Sequence, residues 1–259
     1  MTRRLLLKPI RGLVSLSQRA ARLLEFVAQQ AQGKGWGAGT VEAETRAVRK
    51  LLGSRAEEAL IVLDVGANIG TWSRAALIAL PHAHIHIFEP SATAYSTLSS
   101  ALAHEDRTST YPFALGASNE VRTLYADKAG SGLGSFSKRR LDHFGISFEH
   151  EEEVTVKTLQ DWAVEMGVAS VDVLKMDVEG HELDVLEGAG DLLATTAIIQ
   201  FEFGGANIDT RTYFQDFWYL LKPLGFDLYR LGPRGLAVID AYHEQDEYFT
   251  TTNYVAVRK

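Results

Sequence analysis

Cysteine is absent from this chain of 259 residues. Its absence excludes disulfide bonds, thiolate nucleophiles and the cysteine-based classes of zinc and iron–sulfur site. Long apolar runs are absent too, since no stretch approaches the roughly twenty apolar residues of a membrane-spanning helix. Apolar residues nevertheless make up 46% of the chain and charged residues 23%, the balance of a globular protein with a large core. We therefore expect a cytoplasmic protein.

Positive and negative charges are distributed unevenly. Residues 1–56 contain eleven Lys and Arg residues and three Asp and Glu residues, which gives a net charge of +8. Residues 57–259 contain fifteen Lys and Arg residues and thirty Asp and Glu residues, which gives a net charge of -15. An acidic body lacks the basic face on which nucleic acid binds, so we expect no nucleic-acid partner. A small neutral molecule or a glycan is compatible with this charge.

The pattern before residue 57 predicts a basic helical extension, residues 1–56, ahead of a main domain, residues 57–259. Apolar residues at 13, 16, 20, 23, 24 and 27 have the spacing of an amphipathic helix, and residues 42–52 predict a second helix. The first helix packs on the domain or on a second subunit, which would make the protein a homo-oligomer. The alternative is peripheral contact with the inner face of a membrane through this basic helix.

From residue 61 onward, predicted strands and helices alternate. The predicted strands are 61–65, 84–89, 109–113, 153–157, 171–176, 196–203, 226–231 and 253–258. Alternation of this kind is typical of an α/β fold with a mostly parallel, Rossmann-like sheet and helices on both faces. Ligands bind outside the carboxyl ends of such strands. Four acids lie at or next to these ends: Asp64, Glu89, Asp177 and Glu202.

The first strand leads into a glycine-containing turn with Gly66 and Gly70, and the second stops at Glu89. We expect the glycines to let a ligand approach the backbone, and the carboxylate to accept hydrogen bonds from the two ribose hydroxyls of a nucleoside. Nicotinamide dehydrogenases carry a different glycine spacing, G-x-G-x-x-G, which disfavours that class.

A second motif covers residues 171–189, where a strand is followed by Asp177, Glu179 and His181 at the start of a predicted helix. The positive end of a helix favours carboxylates and disfavours imidazolium, so a neutral His181 could accept a proton. In the alternative interpretation, Asp177 and Glu179 only cap the helix and His181 is a surface residue.

Taken together, these motifs resemble the FkbM family of S-adenosylmethionine-dependent methyltransferases. The matching stretches are 63–70, 88–90, 113–116, 174–182, 200–203 and 253–256, in family order. The resemblance implies a class I methyltransferase sheet of seven strands, the last antiparallel. It also implies O-methylation of sugar hydroxyls in glycans and lipid-linked saccharides, or of secondary metabolites such as polyketides. The alternative function, from a different class, is that of a non-catalytic scaffold that binds the cofactor and takes part in glycan assembly.

The resemblance also implies roles for individual residues. The methionine half of S-adenosylmethionine would be lined by Asp64, Gly66, Asn68 and Gly70. Glu89 would hold the ribose, and Ala114 and Leu115 would flank the adenine. The candidates for the catalytic base are Asp177, His181 and Glu202, in no order that the sequence decides. Magnesium at Asp177, Glu179 and Glu202 is an alternative, but no metal is predicted because no further ligand is evident.

Residues 119–153 interrupt the alternation with a cluster of glycines at 130, 132 and 134 and with phenylalanines at 136, 144 and 148. Glycine gives a loop hinge-like freedom, and the aromatic rings could cover a sugar face. We expect a mobile lid over the acceptor site. The alternative is a disordered surface insertion.

Overall fold

The computed structural model describes residues 18–259, which form two β-sheets and the helices around them. The helices are α1 (Gln18–Ala31), α2 (Val41–Leu52), α3 (Thr71–Ala79), α4 (Ala92–Ala101), α5 (Leu159–Met166), α6 (Glu182–Glu187), α7 (Ala206–Thr210) and α8 (Phe214–Leu221). The strands are β1 (Ile61–Val65), β2 (His84–Phe88), β3 (Thr108–Tyr111), β4 (Ala114–Leu115), β5 (Glu120–Ala126), β6 (His150–Lys157), β7 (Val171–Met176), β8 (Thr196–Phe203), β9 (Phe226–Gly232), β10 (Gly235–Ile239) and β11 (Thr252–Arg258).

The larger sheet has the strand order β10-β9-β11-β8-β7-β1-β2-β3. Strands β1, β2, β3, β7 and β8 pair in parallel, whereas β11 lies antiparallel between β8 and β9. The predicted fold class is therefore confirmed, with the last strand antiparallel. An eighth strand, β10, was not predicted; it forms an antiparallel hairpin with β9 through the turn at Pro233 and Arg234.

Both faces of this sheet are covered by helices, because its strands alternate their apolar side chains between two cores. One core joins Leu174, Phe201 and neighbouring strand residues to Trp162 of α5 and Phe217 of α8. The other core contains residues of β1 and β2 together with α2 and α3. Near-continuous apolar strands buried on both faces are typical of parallel sheets.

The prediction for residues 153–157 was wrong in one respect. They form part of β6, which pairs with β4 and β5 in a separate three-stranded sheet and not in the large one. The residue pattern at 121–125 predicts an extra strand within the segment 119–153, which is confirmed: residues 120–126 form β5 and pair with residues 150–156 of β6. In the second half of β6, Val154 and Val156 are buried and Thr155 is exposed, as expected for a small sheet with one side in solvent.

The helices before residue 57 differ in their packing. The predicted helix at 42–52 is confirmed as α2, which buries Val48 and Leu52 against α3 and the sheet. In α1 no residue is buried. Residues 13–17 of the predicted amphipathic helix lie outside the described residues.

Candidate active site

Two pockets adjoin at the carboxyl end of the parallel strands. The first, called the nucleoside pocket, is lined among others by Phe88, Glu89, Ala114, Leu115, Leu124 and Phe136. The second, called the acid pocket, has a volume of about 340 Å³ and is lined among others by Thr40, Glu44, Lys175, Glu202 and Asn253. The two pockets share Gly66, Asn68, Gly132, Asp177 and Glu179. The two pockets therefore meet at these five residues, which we call the shared wall, and a ligand in one pocket can contact a ligand in the other there.

The turn between β1 and α3 contains the two predicted glycines. Both have positive φ angles, +75° at Gly66 and +78° at Gly70, where side chains are unfavourable. A Cβ atom at Gly66 would overlap the carbonyl oxygen of Asp177, and one at Gly70 would lie 2.6 Å from Leu98 Cδ1. Close packing within the protein therefore requires glycine at both positions, and the approach of a ligand to them stays a prediction. Gly66 lines both pockets, whereas Gly70 lines neither.

Glu89 follows β2 and is buried in the nucleoside pocket. Its Oε2 accepts a hydrogen bond from the Asn68 amide at 2.7 Å, and its Oε1 accepts one from the Ser91 amide at 2.8 Å. Burial raises the pKa of Glu89 to about 7, although these two amides oppose the rise. Each carboxylate oxygen keeps a second lone pair. Glu89 can therefore accept hydrogen bonds from the two hydroxyl groups of a ribose.

The far end of the nucleoside pocket is apolar, as an adenine ring requires. Ala114 and Leu115 form the short strand β4 and are buried there. Leu124 of β5 and Phe136 line the same pocket, together with Ser131, Gly132, Gly134 and Ser135 of the insertion. Of the segment 119–153, only Gly132 also lines the acid pocket. The insertion thus covers the nucleoside pocket more than the acid pocket; its mobility stays a prediction.

A row of polar residues crosses the sheet beneath the turn. Strand register places Asp64, Lys175 and Gln200 side by side on β1, β7 and β8. Lys175 Nζ lies 3.0 Å from Asp64 Oδ1 and 3.8 Å from Asp177 Oδ2. Burial alone would lower the pKa of Lys175, but the negative charges of Asp64 and Asp177 outweigh it and raise it. Asp64 is fully buried and lines neither pocket, so it supports the site from below.

Glu44 of α2 extends this polar row from outside the motifs. Its Oε2 accepts a hydrogen bond from Gln200 Nε2 at 2.6 Å, and its Oε1 accepts one from Asn253 Nδ2 at 3.0 Å. Thr40 Oγ1 donates to the same Oε1 at 2.7 Å. Burial raises the pKa of Glu44. In the sequence, Glu44 is an acid on the buried face of the helix predicted at residues 42–52. It was not predicted as a site residue.

Three further acids face the acid pocket: Asp177, Glu179 and Glu202. Burial, followed by the neighbouring charge of Asp177, raises the pKa of Glu179 to about 8. The same two causes, joined by Glu179 and Glu182, raise the pKa of Glu202 well above its ordinary value. Asp177 lies beside these two acids, and 44% of its side chain is exposed. It is therefore open to the pocket, whereas Glu179 and Glu202 are buried carboxyls with raised pKa values.

Glu179 has a backbone φ of +52°, which is uncommon for a residue with a side chain. Its carboxylate forms an ion pair with Arg139, whose Nε also lies 3.7 Å from Asp209 Oδ2. Ser135 Oγ donates to the Glu179 carbonyl at 2.8 Å. The insertion is thereby attached to the wall shared by the two pockets.

His181 is not brought into either pocket. Its Nδ1 lies 2.8 Å from Asp184 Oδ2 and its Nε2 lies 3.2 Å from Ser137 Oγ, so both ring nitrogens are engaged. The ring is buried and packs edge-on against Phe136. The prediction of His181 as a base candidate therefore needs correction, since a base must reach the acceptor hydroxyl. It supports the insertion instead.

Glu182 was missed, although it shapes the same turn. Its Oε1 accepts hydrogen bonds from the amides of Val178 at 2.9 Å and Gly180 at 3.3 Å. Burial raises its pKa to about 7.

Among residues 18–259, no group of three His, Asp or Glu side chains is arranged to hold a metal ion. The magnesium alternative at Asp177, Glu179 and Glu202 therefore has no support in this geometry.

Comparison with known proteins gives several relatives. The chain is 28% identical over 153 residues to the 2-O-methyltransferase NoeI of Sinorhizobium fredii, covering 55% of this chain and 63% of that protein. It is 32% identical over 158 residues to the hexuronic acid methyltransferase AglP of Haloferax volcanii, covering 60% of each. It is 30% identical over 155 residues to the 31-O-demethyl-FK506 methyltransferase FkbM of Streptomyces tacrolimicus, covering 51% of this chain and 60% of that protein.

The chain therefore spans about three-fifths of the length of the curated relatives it matches. The model of the methyltransferase FkbM domain matches residues 64–228, which include the glycine turn, Glu89, Asp177 and Glu202. This match covers more than half of the chain, so the chain belongs to the FkbM family of S-adenosylmethionine-dependent methyltransferases.

Proposed function

We propose that this protein is an O-methyltransferase that transfers the methyl group of S-adenosylmethionine to a hydroxyl of a sugar, in a cell-surface glycan or a lipid-linked saccharide. One observation carries the proposal: a pocket suited to a nucleoside and a pocket lined by carboxyl groups share a wall at Gly66 and Asp177. The names of two relatives, a 2-O-methyltransferase and a hexuronic acid methyltransferase, support a sugar hydroxyl as the acceptor.

The nucleoside pocket would hold the methyl donor. Glu89 accepts the ribose hydroxyls, Ala114 and Leu115 flank the adenine, and the turn at Gly66 and Asn68 faces the methionine half. When bound, S-adenosylmethionine supplies an electrophilic methyl group. Asp64 acts indirectly, because it holds Lys175 under the shared wall.

The acid pocket would align the acceptor hydroxyl and remove its proton. Alignment of two reactants contributes up to about 7–11 kcal/mol, so positioning is the larger effect. Asp177 is the base, because it lines both pockets and is the most open of the three acids. Glu202, whose pKa is raised by burial, keeps its proton and donates a hydrogen bond to the acceptor.

A labelled-methyl assay tests this function. The purified protein is incubated with methyl-labelled S-adenosylmethionine and a panel of saccharides, and products are followed by mass spectrometry. We expect a mass increase of one methyl group on a sugar oxygen. Transfer to no saccharide, with calorimetry showing binding of NADH and none of S-adenosylmethionine, would contradict the proposal. Tight cofactor binding with no transfer to any acceptor would favour the scaffold alternative.

Helix α1 supports a further part of the proposal, namely that the enzyme works at an anionic membrane surface. Among residues 18–259 no helix is long and apolar enough to cross a membrane. The exposed fractions in α1 are 63%, 57%, 57% and 55% for Leu23, Leu24, Phe26 and Val27. An amphipathic helix with basic residues binds anionic lipid through such a face.

Co-sedimentation with phosphatidylglycerol vesicles tests this contact. Leu24→Ser with Phe26→Ser should abolish sedimentation, because the apolar contact is lost. Val164→Ser, at an exposed apolar position of α5, is the matched control and should sediment like the wild type. A wild-type protein that stays in the supernatant as a dimer by light scattering would assign the apolar face to a second subunit instead.

A further inference from the structure

A groove of about 770 Å³ extends away from the acid pocket along α2. We call it the outer groove; its walls are Trp36, α2, the first part of α3 and the turn between β9 and β10. Gly39, Thr40, Val41 and Thr71 line both the outer groove and the acid pocket. The two spaces therefore adjoin at these four residues, so that an elongated ligand in the acid pocket would extend toward the outer groove.

The segment that carries Trp36 is anchored to the end of the large sheet. The Gly35 amide donates a hydrogen bond to Thr252 Oγ1 at 2.8 Å. A Cβ atom at Gly33 would lie 2.8 Å from the Cα of Gly232, and one at Gly37 would lie 2.6 Å from the Thr251 carbonyl oxygen. Such close backbone contacts define the position of the half-buried indole ring between them. The groove wall is thus built into the fold.

Two cations face the outer groove from one side of α2. Arg46 and Lys50 are four residues apart, so they lie one above the other on the helix surface. Both are exposed, and neither has an ion-pair partner within residues 18–259. Arg49, in contrast, points elsewhere: it pairs with Glu57 and donates to the Ala79 carbonyl. One acid, Glu42, also lines the groove, which leaves it with a net positive charge.

The outer groove and the acid pocket differ in their ionisable groups. In the acid pocket Glu44, Asp177, Glu179 and Glu202 surround one cation, Lys175, whereas the outer groove has the two cations Arg46 and Lys50. A negatively charged group is attracted to the outer groove, where it meets two cations without an ion-pair partner among residues 18–259. An acceptor with a hydroxyl at one end and an anionic group at the other would therefore bind in one direction only. This direction presents the hydroxyl to Asp177.

The apolar part of the outer groove fits a sugar ring. Trp36, Val41, Pro233 and Leu236 line it beside the two cations. An aromatic side chain offers a large flat apolar surface with a polar edge, and pockets for polar ligands combine such surfaces with a few charged groups. A pyranose ring has one face of C–H groups that can lie on the indole.

We propose that the outer groove is an acceptor subsite for an anionic saccharide, held by Trp36, Arg46 and Lys50. The proposal rests on the function proposed above, since it assumes that the hydroxyl in the acid pocket belongs to a sugar. All three residues precede the stretch 64–228 that matches the FkbM domain.

Calorimetry with two matched disaccharides tests the subsite. The protein saturated with S-adenosylhomocysteine is titrated with cellobiose and with the disaccharide whose terminal glucose is replaced by glucuronic acid. We expect the uronate to bind about tenfold more tightly at low salt. About 0.5 M NaCl should remove most of the difference, because exposed charges are screened. Glucose and glucose 1-phosphate form a second pair, which tells a carboxylate from a phosphate as the preferred anion.

Variants assign the effect to the groove. Arg46→Gln with Lys50→Gln should abolish the preference for the anion, whereas Trp36→Ala should weaken both members of each pair about equally. Arg19→Gln removes one positive charge from α1, none of whose residues lines the groove, and should leave the preference unchanged. Equal binding of anionic and neutral sugars, or a preference that survives the double substitution, would overturn the subsite.

Methyl transfer separates this proposal from the function on which it rests. If neutral and anionic sugars are methylated with equal kcat/KM in the wild type and in the double variant, the subsite is wrong and the function stands. If the uronate binds through Arg46 and Lys50 but no sugar is methylated, the subsite stands and the function is wrong.

Discussion

The nucleoside pocket and the acid pocket share a wall but are assembled differently. The residues that line the nucleoside pocket lie between positions 65 and 179, inside the stretch that matches the FkbM domain. The acid pocket also uses residues 37–41, Glu44 and the pair Thr251 and Asn253, which lie outside that stretch. The donor half of the site thus lies within the part of the chain that matches the family model, whereas the acceptor half also uses residues before and after it.

Their electrostatics differ in the same way. In the nucleoside pocket Glu89 is satisfied by two backbone amides. In the acid pocket burial and the neighbouring charge of Asp177 raise the pKa of both Glu179 and Glu202, with Lys175 and Arg139 as the nearby cations. The nucleoside pocket can thus accept hydrogen bonds from hydroxyl groups, whereas the acid pocket can exchange a proton with its ligand. Substitutions at four positions test this division.

The largest effect is expected at Asp177. Asp177→Asn preserves the shape but removes the base, so kcat should fall by about 10²–10⁴ while cofactor affinity changes little. Stopped assays with labelled cofactor, and calorimetry, measure the two quantities separately. Asp191→Asn, at an exposed position, is the control. Unchanged turnover with an intact circular dichroism spectrum would exclude a catalytic role for Asp177.

A substitution in the shared wall should damage both pockets. Gly66→Ala places a methyl group against the Asp177 carbonyl at a positive φ, and should lower the free energy of unfolding by about 2–4 kcal/mol. Gly132 lines the same two pockets but has no atom within 4 Å of an added Cβ. Gly132→Ala should therefore be nearly neutral in thermal melts. Equal melting temperatures for the two variants would show that the close contact at Gly66 is not needed.

A smaller effect, confined to the nucleoside pocket, is expected at Glu89. Glu89→Ala leaves the ribose hydroxyls and two backbone amides without their acceptor, and should weaken S-adenosylmethionine binding by about 1–3 kcal/mol. Affinity for the acceptor should change little. If the variant binds the donor as the wild type does but loses acceptor affinity, the assignment of the two pockets is reversed.

The smallest expected effect is a pH dependence of stability due to Glu182. Its pKa is about 7 in the folded protein against 4.5 for an ordinary Glu, because it is buried. Between these values the folded state keeps a proton that the unfolded state has lost. Unfolding then releases a proton, and the stability falls as the pH rises. The contribution is complete below about pH 4.5 and is lost as the pH rises through about 7.

Glu182→Gln keeps the acceptor oxygen for the Val178 and Gly180 amides but cannot ionise. Its free energy of unfolding, measured by urea titration, should fall less between pH 5 and pH 7 than that of the wild type, by about 1–3 kcal/mol. Glu187→Gln, at an exposed position, serves as the control. A wild-type slope retained in the Glu182 variant would assign the pH dependence to the other buried carboxyls, Glu89 among them.

Much of the donor half could be predicted from sequence. Local patterns located β1, β2, β7 and β8 within one residue, because buried parallel strands are short apolar runs between turns. The glycine turn and Glu89 are adjacent to those strands, so parallel pairing alone brings them together. The place of β6 in a second sheet could not be predicted, since periodicity specifies a strand but not its partner.

The acceptor half shows the limit of the same reasoning. Local sequence marked Asp177 and His181 as equal candidates, since both follow the same strand. Only the tertiary structure separated them, because Asp184 and Ser137 occupy both nitrogens of His181. Glu44 and Arg46 reach the site through the packing of α2 on the sheet, and Trp36 through the contacts of residues 33–37 with the end of the large sheet. The sequence by itself therefore determined the fold class and the donor motifs, which depend on neighbours along the chain. Which side chains face the acceptor was decided by long-range contacts, because burial and ion pairing depend on residues that are distant in sequence.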